Sequence, residues 1–286
     1  MTPIATVSDL PQPGRTLVMG VINVTPDSFS DGGRWFSSAK AVRHGRQLIH
    51  DGADLLDVGG ESTRPGAERP DVPAELGRVL PVITELAATG AVVSVDTMRA
   101  EVAAAAVHAG ARLVNDVSGG LADPAMLGTV AGLGVPYVCM HWRAHATDMQ
   151  SRAVYADVVT DVLGELRART EAALAAGIRA DHLVIDPGIG FAKSSQHNWE
   201  LLRRLDELDV LGLPVLVGAS RKSFLGSLLA DAAGAARPPA GRDDATTALT
   251  ALLARRWTWG VRVHAVRASS DAIAVVSGMD GTPRSP

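Results

Sequence analysis

Eight polar side chains that could do chemistry stand at or near the ends of eight short apolar runs. They are Asn23, Asp57, Asp96, Asn115, His141, Asp186, Ser220 and His264. Two carboxylates and an amide that converge on one pocket floor, as Asp96, Asp186 and Asn115 could, would suit a flat heterocycle with several N–H donors. A single Asp or Asn at such a point is more often a turn residue, so this interpretation depends on their convergence.

Two further sets of residues favour an anion. Arg262 and His264 are two residues apart in the last apolar run, so they share a strand face and could bind a phosphate or diphosphate. In the segment GASRKSFLG after the seventh apolar run, Lys222 and Ser223 begin the next predicted helix. Unpaired N–H groups at a helix start favour a carboxylate or phosphate. The alternative for Arg262 and His264 is a pair at the barrel rim that bonds nearby helix carboxylates. The alternative for Lys222 and Ser223 is an ordinary helix start capped by a serine.

Two long polar loops follow the first and second apolar runs, with the sequences NVTPDSFSDGGRWF and GGESTRPGA. Loops of this kind above a barrel mouth could close over a substrate. Asn23, Asp27 and Asp31 supply hard oxygen ligands suited to Mg²⁺ shared with a diphosphate, although their spacing does not specify a metal site. Two solvated loops with side-chain-capped turns are the alternative.

The elements that must position these residues alternate along the chain. Apolar runs with strand character end at residues 23, 60, 97, 118, 141, 187, 220 and 266. Helical periodicity separates them, most clearly over 39–50, 73–88, 99–109, 154–176 and 246–257. This alternation predicts an α/β fold, a (β/α)8 TIM barrel, with a surface loop over 231–242. A doubly wound open sheet is the alternative, but VINVTPDS lacks its phosphate-binding glycine turn.

Composition limits the class of protein. The chain has 286 residues, 47% of them hydrophobic and 20% charged, and we expect one barrel domain over 15–278 between flexible segments 1–14 and 279–286. The net charge of -4 comes from 27 basic and 31 acidic residues without a run of one sign, which argues against a nucleic-acid partner. No apolar run is long enough for a membrane span. The single cysteine, Cys139, lies in an apolar run, so we expect it to be a core residue. One cysteine cannot form an internal disulfide, which favours a cytoplasmic protein.

The loop motifs together resemble the dihydropteroate synthase family. They occur in the family's order over about 18–276 and read NVTPDSFSDGG, DVGGESTRPGA, SVDTMR, NDVSGG, DPGIGFAK, GASRKSFLG and RVHAV. The resemblance implies condensation of (7,8-dihydropterin-6-yl)methyl diphosphate with 4-aminobenzoate to give 7,8-dihydropteroate and diphosphate. It also implies an SN1-like course in which diphosphate leaves before the amine attacks, with Mg²⁺ as cofactor and a homodimer as the assembly.

The resemblance also assigns roles to residues. Catalytic roles fall on Asp27, Asp31, Asp96, Lys222, Arg262 and His264. The pterin site is matched by Asp96, Asn115, Val117, Met140, Asp186, Lys222 and Arg262. The 4-aminobenzoate site is matched by Phe29, Thr63, Arg64, Pro65, Phe191 and Ser223. The diphosphate site is matched by Asn23, Arg262 and His264, with Asn23 also the metal ligand.

Strand alternation and the motifs refine the first set of candidates. If Met140 faces the pocket, His141 points away and is a structural histidine, and Ser220 gives way to Lys222 and Ser223. Asp57 shares the pocket face, and we expect it to support the residues that touch substrate. The family usually has Asp where this chain has Ala265, and alternation turns that position towards the helix layer, so we expect no loss of activity.

Two other functions remain as alternatives. A pterin-binding methyltransferase shares the barrel and the pterin-recognising Asp and Asn, but it transfers a methyl group to a corrinoid and has no use for a diphosphate site. A non-catalytic pterin-binding paralogue would keep Asp186 and Asn115 and lose loop residues such as Asp31 and Arg64. This sequence keeps both loop residues, which favours the synthase.

Overall fold

Eight parallel strands with helices between them form the molecule. The structure is a computed structural model, and it describes residues 6–25, 34–61, 69–145 and 149–281. The strands are β1 Leu17–Asn23, β2 Leu55–Gly59, β3 Val93–Asp96, β4 Leu113–Asp116, β5 Tyr137–Met140, β6 Leu183–Asp186, β7 Leu216–Val217 and β8 Gly260–Val263. The helices are α1 Arg34–His50, α2 Val72–Ala88, α3 Ala100–His108, α4 Met126–Leu133, α5 Val158–Ala175, α6 Ser195–Arg203, α7 Ser223–Leu228, α8 Asp243–Arg255 and α9 Val266–Met279.

The sheet closes on itself. Its strand order is β6-β5-β4-β3-β2-β1-β8-β7, and β6 meets β7 through a parallel bridge between Ile185 and Val215. The Ile185 N–H also donates to the Pro214 carbonyl at 2.9 Å. The predicted TIM barrel is therefore confirmed, and the open doubly wound sheet is wrong.

Alternation along the strands separates the barrel interior from the layer under the helices. One buried cluster lies inside the barrel and contains Leu17, Met19, Leu55, Leu113, Val138, Val184 and Leu216. The residues between them on the same strands, such as Val18 and Leu56, belong to the larger core under the helices. Two residues beyond Leu55, Leu113 and Val184, the same face presents Asp57, Asn115 and Asp186. The carboxyl ends of the strands thus turn polar groups into the barrel mouth.

The amino end of the barrel is closed by the chain's first described turn. The short helix Val7–Asp9 and the next residue bring Val7 and Leu10, which are 7% and 2% exposed, into the interior cluster. We predicted a flexible segment over 1–14, and this part of it is packed because two apolar side chains cover the barrel floor. Residues 1–5 and 282–286 lie outside the described residues.

Several helices begin at residues other than those predicted. The helix predicted from residue 154 begins at Val158, because the Asp157 carboxylate accepts from the Thr160 N–H at 2.8 Å and caps it. The first helix, α1, begins earlier than predicted, at Arg34, and α8 begins directly after the predicted 231–242 loop, at Asp243. The loop over 231–242 is exposed and ends in the short helix Pro239–Arg242. None of the described helices combines the length and apolar character that crossing a membrane requires.

Ala265 provides a test of helix capping. It is the N-cap residue of α9 and makes no side-chain cap hydrogen bond, whereas Asp is among the best N-cap residues. We expect Ala265→Asp to raise the free energy of unfolding by about 1 kcal/mol, measured by urea denaturation. Ala265→Leu is the control and should give no gain. An unchanged or lower midpoint for Ala265→Asp would show that α9 does not need a cap here.

Candidate active site

Arg262 joins three strands at the barrel mouth. From β8, its Nε donates to Asp57 Oδ2 at 2.6 Å and its Nη2 donates to Asp96 Oδ2 at 2.7 Å. Asn115 Nδ2 donates to the same Asp57 oxygen at 3.0 Å. Asp57 is fully buried, and its other oxygen, Oδ1, has no partner among the described residues. Asp57 therefore positions both Arg262 and Asn115, which agrees with the supporting role predicted for it.

The charges at this point influence one another strongly. Burial raises the pKa of Asp96 to about 7, against the pull of Arg262 and with a further rise from the Asp57 carboxylate. Burial lowers the pKa of Arg262, but Asp57 and Asp96 together hold it above its usual range. A guanidinium that stays charged thus lies between two carboxylates, and the ionised fraction of Asp96 increases as the pH rises through about 7.

Asp186 lies across the mouth from Asp57, on β6. Its Oδ1 accepts from the Gly188 N–H at 2.7 Å, and burial raises its pKa while Lys222 opposes the shift. The neighbouring strand position is Gly218, where an added Cβ would lie 3.6 Å from Asp186 Oδ2 and 3.8 Å from Arg262 Cβ. The absence of a side chain at Gly218 leaves the space between Asp186 and Arg262 open to a ligand.

Lys222 reaches over this space from the loop after β7. Its Nζ donates to the Ile189 carbonyl and lies 4.1 Å from the centre of the Phe191 ring. Burial lowers the pKa of Lys222 to about 7, and the Asp186 carboxylate opposes that shift. The amine can therefore bind a carbonyl oxygen above the pocket that Asp186 lines.

One wall of the pocket is apolar. Met98, Val117 and Met140 are buried together, with Phe191 packed against them. Met140 faces the pocket and His141 does not, as alternation predicted. The motif SVDTMR placed Met98 just after Asp96, but strand alternation does not extend past the end of β3, so sequence reasoning missed it. A thioether and an aromatic ring suit the faces of a flat heterocycle.

Asp116 shapes the loop that carries Val117. Its carboxylate accepts from the Ser118 N–H at 2.8 Å, the Ser118 hydroxyl at 2.7 Å, the Gly120 N–H at 2.7 Å and the Tyr137 hydroxyl at 2.8 Å. These bonds turn the chain sharply after Asp116, which is why β4 ends two residues earlier than predicted. Asp116 faces the helix layer, so its role in the site is to fix the loop.

The Ser220 and His264 side chains of the predicted anion-binding corner meet where β7 and β8 end, whereas the Arg262 guanidinium is paired with Asp57 and Asp96. Ser220 Oγ lies 3.0 Å from His264 Nδ1 and accepts from the His264 N–H at 3.2 Å. Asn23 ends β1, the strand that pairs with β8, and Ser223 is the exposed first residue of α7. Because α7 has only 6 residues, anion binding there depends on Lys222 and Ser223 more than on a helix dipole.

Six of the predicted site residues lie outside the described residues. They are Asp27, Phe29, Asp31, Thr63, Arg64 and Pro65. The chain on either side of 62–68 is well tied, because Arg69 pairs with Glu61 at 2.8 Å and Arg99 donates to the Pro70 carbonyl at 2.5 Å. Arg99 also pairs with the fully buried Glu75 at 2.6 Å.

The described residues offer a partial set of metal ligands. Among them, no three His, Cys, Asp or Glu side chains come together in a way that could hold a metal ion. The Asn23 amide oxygen is a hard donor of the kind that Mg²⁺ accepts. Mg²⁺ usually keeps several waters and shares substrate phosphates, so one protein donor beside an anion-binding corner fits a metal that arrives with a diphosphate.

Comparison with known proteins agrees with this geometry. The family model described as pterin binding enzyme matches residues 19–264. A dihydropteroate synthase of Mycobacterium leprae (strain TN) is 57% identical over 260 residues, which cover 91% of this chain and 92% of that protein. Among solved structures, Xanthomonas albilineans dihydropteroate synthase with 4-aminobenzoic acid has a TM-score of 0.89 at 44% identity, covering 99% of this chain and 100% of that one. The same enzyme in complex with 7,8-dihydropteroate has a TM-score of 0.84 at 42% identity, covering 96% and 97%. The chain therefore belongs to the dihydropteroate synthase family of pterin-binding enzymes.

Proposed function

We propose the following division of roles for the reaction of this family. The protein is a transferase that condenses (7,8-dihydropterin-6-yl)methyl diphosphate with 4-aminobenzoate, giving 7,8-dihydropteroate and diphosphate. The observation that carries the assignment of roles is the Arg262 hydrogen-bond chain, which joins Asp57, Asp96 and Asn115 along one part of the mouth that has Asp186 on β6.

The pterin ring lies between Asp186 and Asn115 in this proposal. The Asp186 carboxylate accepts from the ring's amino and N–H groups, Asn115 bonds beside it, and Lys222 donates to the ring carbonyl. Three features support the placement: the open space at Gly218, the apolar wall of Val117 and Met140, and the Lys222 amine above. Arg262 lies along the ring face, and its position is already fixed by two carboxylates before substrate binds.

Charge drives the first step. Loss of diphosphate leaves a positive pterin-methylene group in the SN1-like course, and an ionised Asp96 beside the ring stabilises that charge. Arg262 and His264 bind the departing diphosphate. The position of Asp96 supports this role, since its side chain is only 10% exposed and a charge interaction is stronger where water is largely excluded.

Mg²⁺ belongs with the diphosphate in this proposal. Asn23 at the end of β1 would hold it, and a bound Mg²⁺ would supply neutralisation of charge on the leaving group. Asp27 and Asp31 are assigned to the same end of the mouth by the family resemblance alone.

The 4-aminobenzoate ring binds outside the pterin. Phe191 contacts its face, Ser223 receives its carboxylate, and Thr63, Arg64 and Pro65 complete the site by resemblance. The position of Phe191 supports this order, because its ring packs against the apolar wall of the pterin pocket and lies 4.1 Å from Lys222 Nζ, next to Ser223 in the chain. The amine nitrogen then attacks the methylene carbon and loses a proton.

We also propose a cytoplasmic homodimer. Four large apolar side chains on the neighbouring helices α7, α8 and α9 are exposed: Leu228 62%, Leu252 64%, Val275 63% and Met279 70%. Apolar surface of this kind on adjacent helices favours contact with a second copy, away from the barrel mouth. The buried single thiol, Cys139, is consistent with a reducing compartment.

The activity is tested by direct turnover. Purified protein is incubated with dihydropterin methyl diphosphate, labelled 4-aminobenzoate and Mg²⁺, and labelled dihydropteroate is measured by chromatography. We expect product that requires all three components. Absence of labelled product at every pH and metal concentration would overturn the proposed function.

Two substitutions should separate the substrate sites. Asp186→Ala removes the acceptor for the pterin N–H groups, so we expect pterin affinity to fall by about a hundredfold, as for a lost charged hydrogen-bond partner. Phe191→Ala removes an aromatic contact and should raise KM for 4-aminobenzoate by about tenfold.

Calorimetry with a pterin and steady-state kinetics with 4-aminobenzoate measure these two effects. Thr16→Val is a suitable control, since Thr16 lies at the amino end of the barrel and its hydroxyl bonds only the Thr258 carbonyl, at 2.7 Å. Equal effects of Asp186→Ala and Phe191→Ala on both substrates would contradict the assignment.

A further inference from the structure

Lys193 is a buried lysine with no role in the proposed chemistry. It is 4% exposed, and its Nζ donates to the Gly188 carbonyl at 3.0 Å and the Phe191 carbonyl at 3.1 Å. The third neighbour of Nζ is His141 Nδ1 at 2.9 Å. Burial and the Lys222 charge lower the pKa of Lys193 well below its usual range, whereas the Asp186 carboxylate opposes that shift. In the ammonium form, the three donors of Lys193 match these three partners.

His141 lies between Lys193 and a partly exposed carboxylate, that of Glu165. Its Nε2 lies 2.9 Å from Glu165 Oε2, and a carboxylate only accepts, so Nε2 carries the proton and Nδ1 accepts from Lys193. Burial and the Lys193 charge lower the pKa of His141 to about 4, which keeps the ring neutral. Glu165 is 40% exposed and also pairs with Arg143. The neutral His141 ring therefore links the buried Lys193 amine to the partly exposed Glu165 carboxylate.

The turn above Lys193 is strained. Ala192 has a φ of +48°, in the left-handed region that costs free energy for any residue with a Cβ. The Tyr155 hydroxyl donates to the Ala192 carbonyl at 2.9 Å, and the Arg143 guanidinium lies 3.8 Å from the Tyr155 ring centre. Two consecutive carbonyls, those of Phe191 and Ala192, are thus held from below by Lys193 and Tyr155. We call these two side chains the carbonyl clamp.

The strained turn carries groups that face both proposed substrates. The Phe191 ring lies beneath Lys222, and the Ile189 carbonyl accepts from Lys222 Nζ. The Gly188 N–H bonds Asp186 at 2.7 Å, and the Gly190 N–H bonds Asn198 at 2.6 Å. A movement of this loop would therefore displace the Phe191 ring, the Lys222 amine and the Asp186 carboxylate together.

We propose that Lys193 is a positioning residue: with Tyr155 it holds the 188–192 loop in its strained form, so that Phe191, Lys222 and Asp186 face the substrates in fixed relation. Lys193 touches neither substrate. The substrates named in the test rest on the proposed function, whereas the hydrogen bonds of the carbonyl clamp do not.

Tyr155→Phe is the mild variant, since it removes one hydroxyl and keeps the ring beside Arg143. We expect KM for 4-aminobenzoate to rise by about fivefold, with a smaller change in pterin affinity, because the lost bond is nearest Phe191. Lys193→Met removes three bonds and should lower kcat/KM for 4-aminobenzoate by more than about tenfold. Thr16→Val, which removes a buried hydroxyl-to-carbonyl bond at the opposite end of the barrel, should change neither constant.

A rescue experiment separates positioning from general stability. Glycine adopts positive φ without strain, so Ala192→Gly should restore part of the activity lost in Lys193→Met. The ¹⁵N signals of His141, assigned with His141→Gln, should show a neutral Nε2–H ring in the wild type. In Lys193→Met the Nδ1 signal should shift as its donor is lost, and the pKa of the ring should rise.

The outcomes are distinct. Unchanged KM for 4-aminobenzoate in both Tyr155→Phe and Lys193→Met would overturn the inference, as would a wild-type His141 protonated on Nδ1. If Lys193→Met does not fold, Tyr155→Phe and the wild-type ¹⁵N spectrum decide. A wild-type protein without turnover would overturn the proposed function, and the spectrum would still test the carbonyl clamp.

Discussion

The site depends on one partly buried cation. Arg262 enters the barrel mouth from β8 with its side chain 22% exposed, and Asp57 and Asp96 pair it from β2 and β3. Asp57 also bonds Asn115, so four strands are tied to one charge. Removing either carboxylate would leave Arg262 with one carboxylate partner in place of two, which makes this arrangement difficult to change in part. The pocket is therefore largely formed before any substrate arrives.

On the opposite side of the mouth, the site is built from loop backbone. The loop after β6 has its N–H groups bonded to Asp186 and Asn198 and its carbonyls bonded to Lys193, Lys222 and Tyr155. These partners hold positive-φ residues in place, and the free energy of that strain is offset by the surrounding contacts. The two sides are complementary: strands fix the charges around Arg262, and a tied loop fixes the groups that cover the ring.

Much of the site follows from strand alternation. The periodicity of two, applied to apolar runs ending in polar residues, predicted that Asp96, Asn115, Asp186, Arg262 and His264 face one mouth. Where the family resemblance puts Met140 in the pocket, the same periodicity turns His141 away. The structure has Met140 in the apolar wall and His141 bonded between Lys193 and Glu165. The barrel itself followed from the alternation of strand-like and helical runs.

Other parts could not be read from the sequence. Lys193 needs His141 and the Gly188 carbonyl for its role, and no pattern in the sequence relates those positions. Asp57 was predicted only to support the site, because its two partners, Arg262 and Asn115, come from distant strands. Met98 follows the end of β3, where alternation no longer applies. The start of α5 depends on the Asp157 cap, which local periodicity does not indicate.

The central claim is that Asp57 organises the substrate site through Arg262 and Asn115. Calorimetric binding of 7,8-dihydropteroate to the wild type, Asp57→Asn and the control Thr16→Val tests it most directly. The account predicts that Asp57→Asn folds and binds this product at least about tenfold more weakly, because the carboxylate that pairs Arg262 is gone. Wild-type affinity in a folded Asp57→Asn protein would contradict it.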